Sequence, residues 1–245
     1  MESVIRLLPY ADADGPTNMA ADETLVRSAS QGVASLRFYG WTTATLSLGY
    51  FQPHAVRLSD PRLAFLPWVR RPSGGATLVH HHELTYALAL PPGPPWQTGE
   101  AWMPRMHRII TAALADLGLT RIIQPVLDTP SKHSDVLCFQ QYTPGDLLSG
   151  GKKVVGSAQR KYHQALMQHG SILLAQSEHT PALPGLFEMT GVSLAALQVQ
   201  EAVLLAFKKE IGWRIEAMDW TEHEKGGIEE LVVEKYATAE WNEKR

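Results

Sequence analysis

Residues 70–86 read R-R-P-S-G-G-A-T-L-V-H-H-H-E-L-T-Y and constrain the fold more than any other stretch of the chain. A strand-like approach over 65–70 runs into Gly74-Gly75, and a strand-like run over 77–90 leaves it. Two glycines without Cβ tolerate positive φ and let backbone N–H groups come close to a ligand. The adjacent guanidiniums of Arg70 and Arg71 are planar forks that match carboxylate or phosphate oxygens. Alternation along the strand turns only one of them toward a site. The stretch reads as a cradle for an activated acyl group or a phosphate, and equally as a plain turn after Pro72-Ser73.

The rest of the chain builds a sheet and helices around that turn. Gly15-Pro16 opens a helix over 18–30 that Gly32 ends, with proline suited to a first helical position. The runs 36–39 and 45–50, separated by G-W-T-T, read as two paired strands. Pro91-Pro92-Gly93-Pro94-Pro95 is an exposed connection. Met106, Ile109, Ile110, Ala113, Leu114 and Leu117 repeat at helical spacing before Gly118. Residues 124–135, with Pro125, Asp128, Pro130, Ser131, Lys132 and Ser134, read as a mobile loop. Residues 146–149 and 153–158 flank Gly150-Gly151 as a hairpin, and 164–175 supplies a further strand. Helices are expected through Val199–Ala206, ending at Gly212, and over 228–236. The sum is an α+β domain, a mainly antiparallel or mixed sheet flanked by helices, in one unit over 1–245.

Composition excludes several functions. A formal net charge of −3 and a pI near 6.4 argue against non-specific binding to nucleic acid or a membrane surface. No apolar run approaches a spanning length and no leader pattern opens the chain, so a cytoplasmic protein is expected, and a monomer because no apolar helix face looks unaccounted for. The single cysteine, Cys138, rules out an intrachain disulfide and a cysteine-rich zinc site. It is either a small buried hydrophobe or a nucleophile. His80, His81 and His82 invite a metal reading. In an unbroken strand, however, His80 and His82 share one face while His81 points away, and two ligands without an acidic partner at metal spacing do not make a zinc site. No metal is expected.

Four segments bring a family into view: N-M-A-A-D-E at 18–23, R-F-Y-G-W-T-T-A-T-L-S-L-G-Y-F-Q at 37–52, residues 70–86, and C-F-Q-Q-Y-T-P-G-D-L-L-S-G-G-K-K-V-V-G-S-A-Q at 138–159. With Q-H-G-S at 168–171 and Y-A-T-A-E-W-N-E-K-R at the end, the chain resembles the lipoate-protein ligase and octanoyltransferase family. That family shares its class II synthetase-like catalytic fold with biotin protein ligases. Within it the resemblance is to the LipM-type octanoyltransferases. It implies that Cys138 takes an octanoyl group from octanoyl-acyl-carrier protein as a thioester. The group then passes to a lysine of a lipoyl-bearing protein, such as the glycine cleavage H-protein or a dehydrogenase lipoyl domain. No cofactor is implied on this route. A thiolate is both a strong nucleophile and a good leaving group, and Lys153 is placed to stabilise the thioester oxygen as charge develops. Arg70, Ser73, Gly74, Gly75, Ala76, His80, Gly156, Ser157, Ala158, His169 and Gly170 are the expected substrate-binding residues. Leu46–Leu48 and Leu78–Val79 are candidates for the wall of the acyl tunnel or for ordinary core.

The chain departs from the family pattern at Ala76, where a third glycine is usual, and at His81, where aspartate is frequent. Three other functions compete. An ATP-dependent lipoate ligase would form an acyl-adenylate with magnesium, needs no cysteine, and commonly has a C-terminal accessory domain not expected here. An amidotransferase would move octanoyl groups between lipoyl-bearing proteins. A non-catalytic module would bind acyl groups or the carrier protein, and would need neither Cys138 nor Lys153.

Overall fold

A computed structural model describes residues 3–119, 123–125, 137–140, 143 and 145–245; of 123–125 and 138 it describes the backbone alone. In chain order the elements are β1 (Val4–Leu7), β2 (Ala11–Ala13), α1 (Gly15–Ser30), β3 (Ser35–Trp41), β4 (Thr45–Leu48), α2 (Pro61–Ala64), β5 (Trp68–Arg70), β6 (Leu78–His80), β7 (Glu83–Leu90) and α3 (Trp102–Asp116). There follow β8 (Ile123–Pro125), β9 (Leu147–Ser149), β10 (Lys152–Tyr162), β11 (Ala165–Leu173), α4 (Leu186–Thr190), α5 (Ala196–Ile211), β12 (Arg214–Ala217), α6 (Glu222–Leu231) and α7 (Ala239–Asn242).

The larger sheet runs β12-β1-β3-β7-β11-β10-β9-β8, with β2 also on β3. It is mixed. β1 lies parallel to β12 and β3, whereas β3, β7, β11, β10, β9 and β8 alternate as antiparallel neighbours. A small sheet, β5-β4-β6, carries the residues around the glycine turn.

Strand β7, E-L-T-Y-A-L-A-L, shows why helices cover both faces of the large sheet. Leu84, Tyr86, Leu88 and Leu90 pack with α3 and α5 through Met106, Ile109, Ile110, Val203 and Phe207. On the opposite face Ala87 and Ala89 meet Met19, Leu25 and Val26 of α1. A strand buried on both sides reads as a nearly continuous apolar run. The two-residue period then assigns its large side chains to one core and its small ones to the other. Helix α1 starts where Asp14 accepts from the backbone N–H of Thr17, with Pro16 in the first turn.

Several sequence expectations are corrected here. Strands β3 and β4 do not pair: β3 lies in the large sheet and β4 in the small one. The run 77–90 is not one strand, because it bends at His81-His82 and its halves join different sheets. His80 and His82 therefore do not share a strand face. Gln124 and Pro125 fall in β8, not in a loop, while 126–135 of that expected loop lie outside the described residues. Strand β12 was not anticipated; it is seated by parallel pairing with β1, some 210 positions earlier, a contact no local pattern announces.

Helix α6 is tied to the sheet by Arg6 and Glu224. The Glu224 carboxylate accepts from both terminal nitrogens of Arg6, from Ser28 Oγ at 2.6 Å and from Thr221 N at 3.0 Å. Burial alone would raise this carboxyl, but the Arg6 and Ser28 hydrogen bonds prevail and bring it from 4.5 down to about 2. A depressed folded-state value means stability present above the ordinary carboxylate range and lost as pH falls through about 2. Melting temperatures measured from pH 5 to pH 2 are therefore expected to drop more steeply for the parent than for Glu224→Gln; equal slopes would show that the pair does not govern acid stability.

Candidate active site

The cleft lies where the small sheet meets the open strand surface of β10 and β11. The glycine turn supplies Gly74 and Gly75, β6 supplies Leu78 and His80, and β10 supplies Gly156, Ser157 and Ala158. From β11 come His169, Gly170 and Ser171, and α1, β3 and β7 add Met19, Tyr39 and Thr85. Arg71 and Phe139 complete the lining of a space of about 500 Å³, its open mouth included. Close backbone approach explains two of the glycines. A Cβ on Gly49 would sit 1.9 Å from the Gly75 carbonyl oxygen, and one on Gly170 would sit 2.7 Å from the Gly156 carbonyl oxygen.

Arg71 staples the turn from inside. Its guanidinium donates to the carbonyls of Ser47 at 3.0 Å, Gly74 at 2.9 Å and Ala76 at 2.6 Å. Arg70 is a correction to the sequence reading. It is fully buried and points away from the cleft, with Nε on the Asn242 carbonyl at 2.9 Å and Nη1 on those of Gly49 at 3.0 Å and Gln52 at 2.6 Å. Its fork reads main-chain oxygens and locks the C-terminal turn, so it is not placed to bind substrate. Ala76 is corrected as well: its methyl is not part of the cleft lining, and Gly75, at φ 95°, takes the left-handed conformation of the turn. Of the proposed tunnel residues only Leu78 reaches the cleft; Leu46, Leu48 and Val79 pack in the core of the small sheet.

Two buried relays fix the polar lining. In the first, the Asp22 carboxylate accepts from Arg37 Nη1 at 3.0 Å, Tyr39 OH at 2.9 Å and His169 Nδ1 at 2.9 Å. With Nδ1 donating, His169 Nε2 accepts from the Ser73 hydroxyl at 2.5 Å. Ser73 is thus not in the cleft but one residue behind it, anchoring the glycine turn to α1. Burial, with the Asp22 charge beside it, pushes the Tyr39 phenol well up, so it remains a donor. In the second relay, His107 donates to the Gly145 carbonyl and accepts from Ser157 at 2.6 Å, while Ser157 also meets Tyr86 OH at 2.7 Å. Burial lowers the His107 imidazole and lifts the Tyr86 phenol to about 12, which keeps both neutral at pH 7.

His80 is held at both nitrogens, by Ser47 Oγ at 2.7 Å and Glu83 Oε1 at 2.7 Å, and stacks on Trp41 with ring centroids 3.8 Å apart. It presents a fixed ring to the cleft. Asp22, Glu83, His107 and Asp146 were missed in the sequence. The available signal was that Asp22 and His107 interrupt the buried stripes of α1 and α3, where an ionisable residue needs a partner.

Cys138 opens a single turn of 3₁₀ helix, Cys138–Gln140, and its side chain lies outside the described residues. The turn's position is set by its neighbours: Leu137 bridges to Thr77 beside the glycine turn, and Phe139 lines the cleft. Lys153 stands just behind the lining, its Nζ 2.7 Å from Asp146 Oδ2 and 5.0 Å from the Phe139 ring centroid. A Cβ on Gly156 would lie 2.4 Å from Lys153 Cε, so this glycine makes the room in which the lysine lies. The folded chain therefore brings a cysteine-bearing turn, a buried lysine and a glycine cradle to one cleft.

Comparison with known proteins fits this arrangement. The lipoyl protein ligase A/B catalytic domain family matches residues 14–181. An octanoyltransferase LipM of Symbiobacterium thermophilum is 32% identical over 99% of this chain and 99% of its own, and one of Moorella thermoacetica is 31% identical over 98% of each. Among solved structures, lipoate-protein ligase A bound with ATP superposes with a TM-score of 0.75 at 24% identity, covering 99% of both chains. The bipartite lipoate protein ligase of Thermoplasma acidophilum, studied with its E2 lipoyl domain, gives 0.72 at 19% identity over 99% of this chain and 97% of that one. At these identities the structural likeness shows the fold. The family match and the full-length relatives show the membership: this chain belongs to the lipoyl protein ligase A/B catalytic domain family.

Proposed function

We propose that the chain is an octanoyltransferase that moves an octanoyl group from octanoyl-acyl-carrier protein to Cys138, and from there to a lysine of a lipoyl-bearing protein. The observation that carries this reading is the juxtaposition of the Cys138 turn and Lys153 behind one cleft. The full-length likeness to octanoyltransferases supports the acyl group. The E2 lipoyl domain studied with the Thermoplasma ligase supports a lipoyl domain as acceptor.

The incoming thioester is already activated, so the exchange is chemically complete without a nucleotide. The Cys138 thiolate attacks the thioester carbonyl carbon, and the carbonyl oxygen gains the negative charge. Collapse expels the carrier's thiolate, which takes up a proton, and leaves an octanoyl thioester on Sγ. The neutral ε-amine of the acceptor lysine attacks next, loses a proton, and the Cys138 thiolate departs as the amide forms. Lys153 is suited to the charged moments of both halves, because a buried ammonium stabilises a developing oxyanion more strongly than a solvated one. Asp146 holds that ammonium in place. His80 and Leu78 offer the apolar ring face and side chain against which an alkyl chain packs, and Gly74 and Gly75 admit the acyl group close to the main chain.

Intact-mass measurement after mixing the full chain with octanoyl-acyl-carrier protein, without ATP, tests the reading. One octanoyl group is expected on the parent, removable by hydroxylamine, and none on Cys138→Ala. No adduct in the parent, together with transfer to a lipoyl domain only when octanoate, ATP and magnesium are supplied, would overturn it in favour of a ligase.

A further inference from the structure

Beyond the cleft, the chain leaving β11 returns beside the bend between β6 and β7. The backbone N–H groups of Leu174 and Ala175 donate to the His82 carbonyl at 2.9 and 3.2 Å. That return brings an acidic residue to the histidine cluster, which local spacing did not show. One imidazole nitrogen from each of His81 and His179 and one carboxylate oxygen of Glu178 lie within 4.8 Å of one another. Each histidine is 3.8 Å from the Glu178 carboxylate. Zinc–ligand bonds of about 2.0–2.1 Å place neighbouring tetrahedral ligands roughly 3.3 Å apart, so a small rotation of an exposed side chain closes the set.

The His81 ring is held beside the cluster by its neighbours. His81 stacks on His82 with ring centroids 3.6 Å apart, and the Nδ1 that lies 3.8 Å from Glu178 also meets Ser177 Oγ at 3.0 Å, a contact that a cation bound at Nδ1 replaces. Two imidazoles and a carboxylate form an N₂O donor set suited to zinc and its borderline neighbours, not to magnesium or calcium. The side chains of His81, His179 and Glu178 are 23%, 30% and 71% exposed, so the outer side stays open to water. A groove beside His179 is lined by Thr180, Leu137 and Gln140, of which Leu137 precedes the Cys138 turn and Gln140 ends it.

We infer that His81, Glu178 and His179 form a site for a zinc-class divalent cation, which ties the bend after His80 to the segment after β11. The test is a zinc titration of the untagged full chain against a chromogenic chelator, in reducing buffer, with melting temperature as a parallel readout. The expected result is one zinc per chain at micromolar affinity or tighter, with a zinc-dependent rise in melting temperature. The affinity is expected to fall by at least about tenfold in His179→Ala and Glu178→Gln, the lower end for losing even an indirect ligand partner, and the zinc-dependent rise in melting temperature at a fixed zinc concentration to shrink accordingly. Replacing the exposed His163 by alanine is the control and should leave binding as in the parent. No zinc bound at micromolar concentration, or equal affinity in parent and variants because the metal sits elsewhere, would overturn the site.

Discussion

Lys153→Met is expected to slow octanoyl transfer by about 10²–10³, the usual cost of removing one donor aimed at a developing oxyanion. Methionine retains the apolar stem beside Gly156 and Phe139 and removes the ammonium. It also strands Asp146, whose side chain is 1% exposed and whose Oδ2 would then keep, among the described residues, Thr143 N at 2.8 Å and Thr143 Oγ1 at 3.0 Å. Breaking a buried pair from one side costs about 3–5 kcal/mol, so a slow single variant can be slow because it is unstable. The double variant Lys153→Met with Asp146→Asn separates the two effects. A neutral amide at 146 still accepts from Thr143 and no longer buries an unpaired charge. The double variant is expected to recover most of the parent's melting temperature while its initial rate stays at the level of the single variant. A double variant as stable as the parent and within about threefold of its rate would remove Lys153 from the chemistry.

That contrast also explains what could be read in the sequence. Elements whose cause is local were legible. The stripe of α3, the Gly150-Gly151 hairpin and the Gly15-Pro16 helix start follow from spacing and from residues with special backbone freedom. Strand partners were less so: nothing within 36–50 says that β3 and β4 go to different sheets, since G-W-T-T is also a fair hairpin linker. Gly74, Gly75, His80, Gly156, Ser157, Ala158, His169 and Gly170, expected from the long motifs that carry them together, all line the cleft. Arg70 failed for a physical reason. A guanidinium fork fits a ligand's oxygens and a buried row of carbonyls equally well, and residue type alone does not distinguish them. The acids were illegible for the opposite reason: Asp22 meets His169 across 147 positions, and Glu178 reaches His81 only because β11 returns past the bend.

The second large effect is expected at Asp22. Asp22→Ala leaves the Arg37 guanidinium, the Tyr39 hydroxyl and His169 Nδ1 without their shared acceptor inside the core. A loss of about 3–5 kcal/mol follows from orphaning one side of a buried ion pair. For a domain of this size that is a fall in melting temperature of roughly 6–20 °C. Ser73→Ala, at the far end of the same relay, removes one hydroxyl and leaves the ion pair intact, so its stability cost should be near the roughly 1 kcal/mol of a single hydrogen bond. The two variants therefore differ in stability but converge on function, because both release His169 from one of its two fixed contacts and loosen the Gly74-Gly75 turn against α1. Their effects on the transfer rate, measured well below the melting temperature of the weaker variant, are expected to be strongly non-additive: once either end is cut, the other has nothing left to hold. Rate effects that simply multiply in the double variant would mean that Asp22 and Ser73 act independently, and that His169 does not transmit the position of α1 to the cradle.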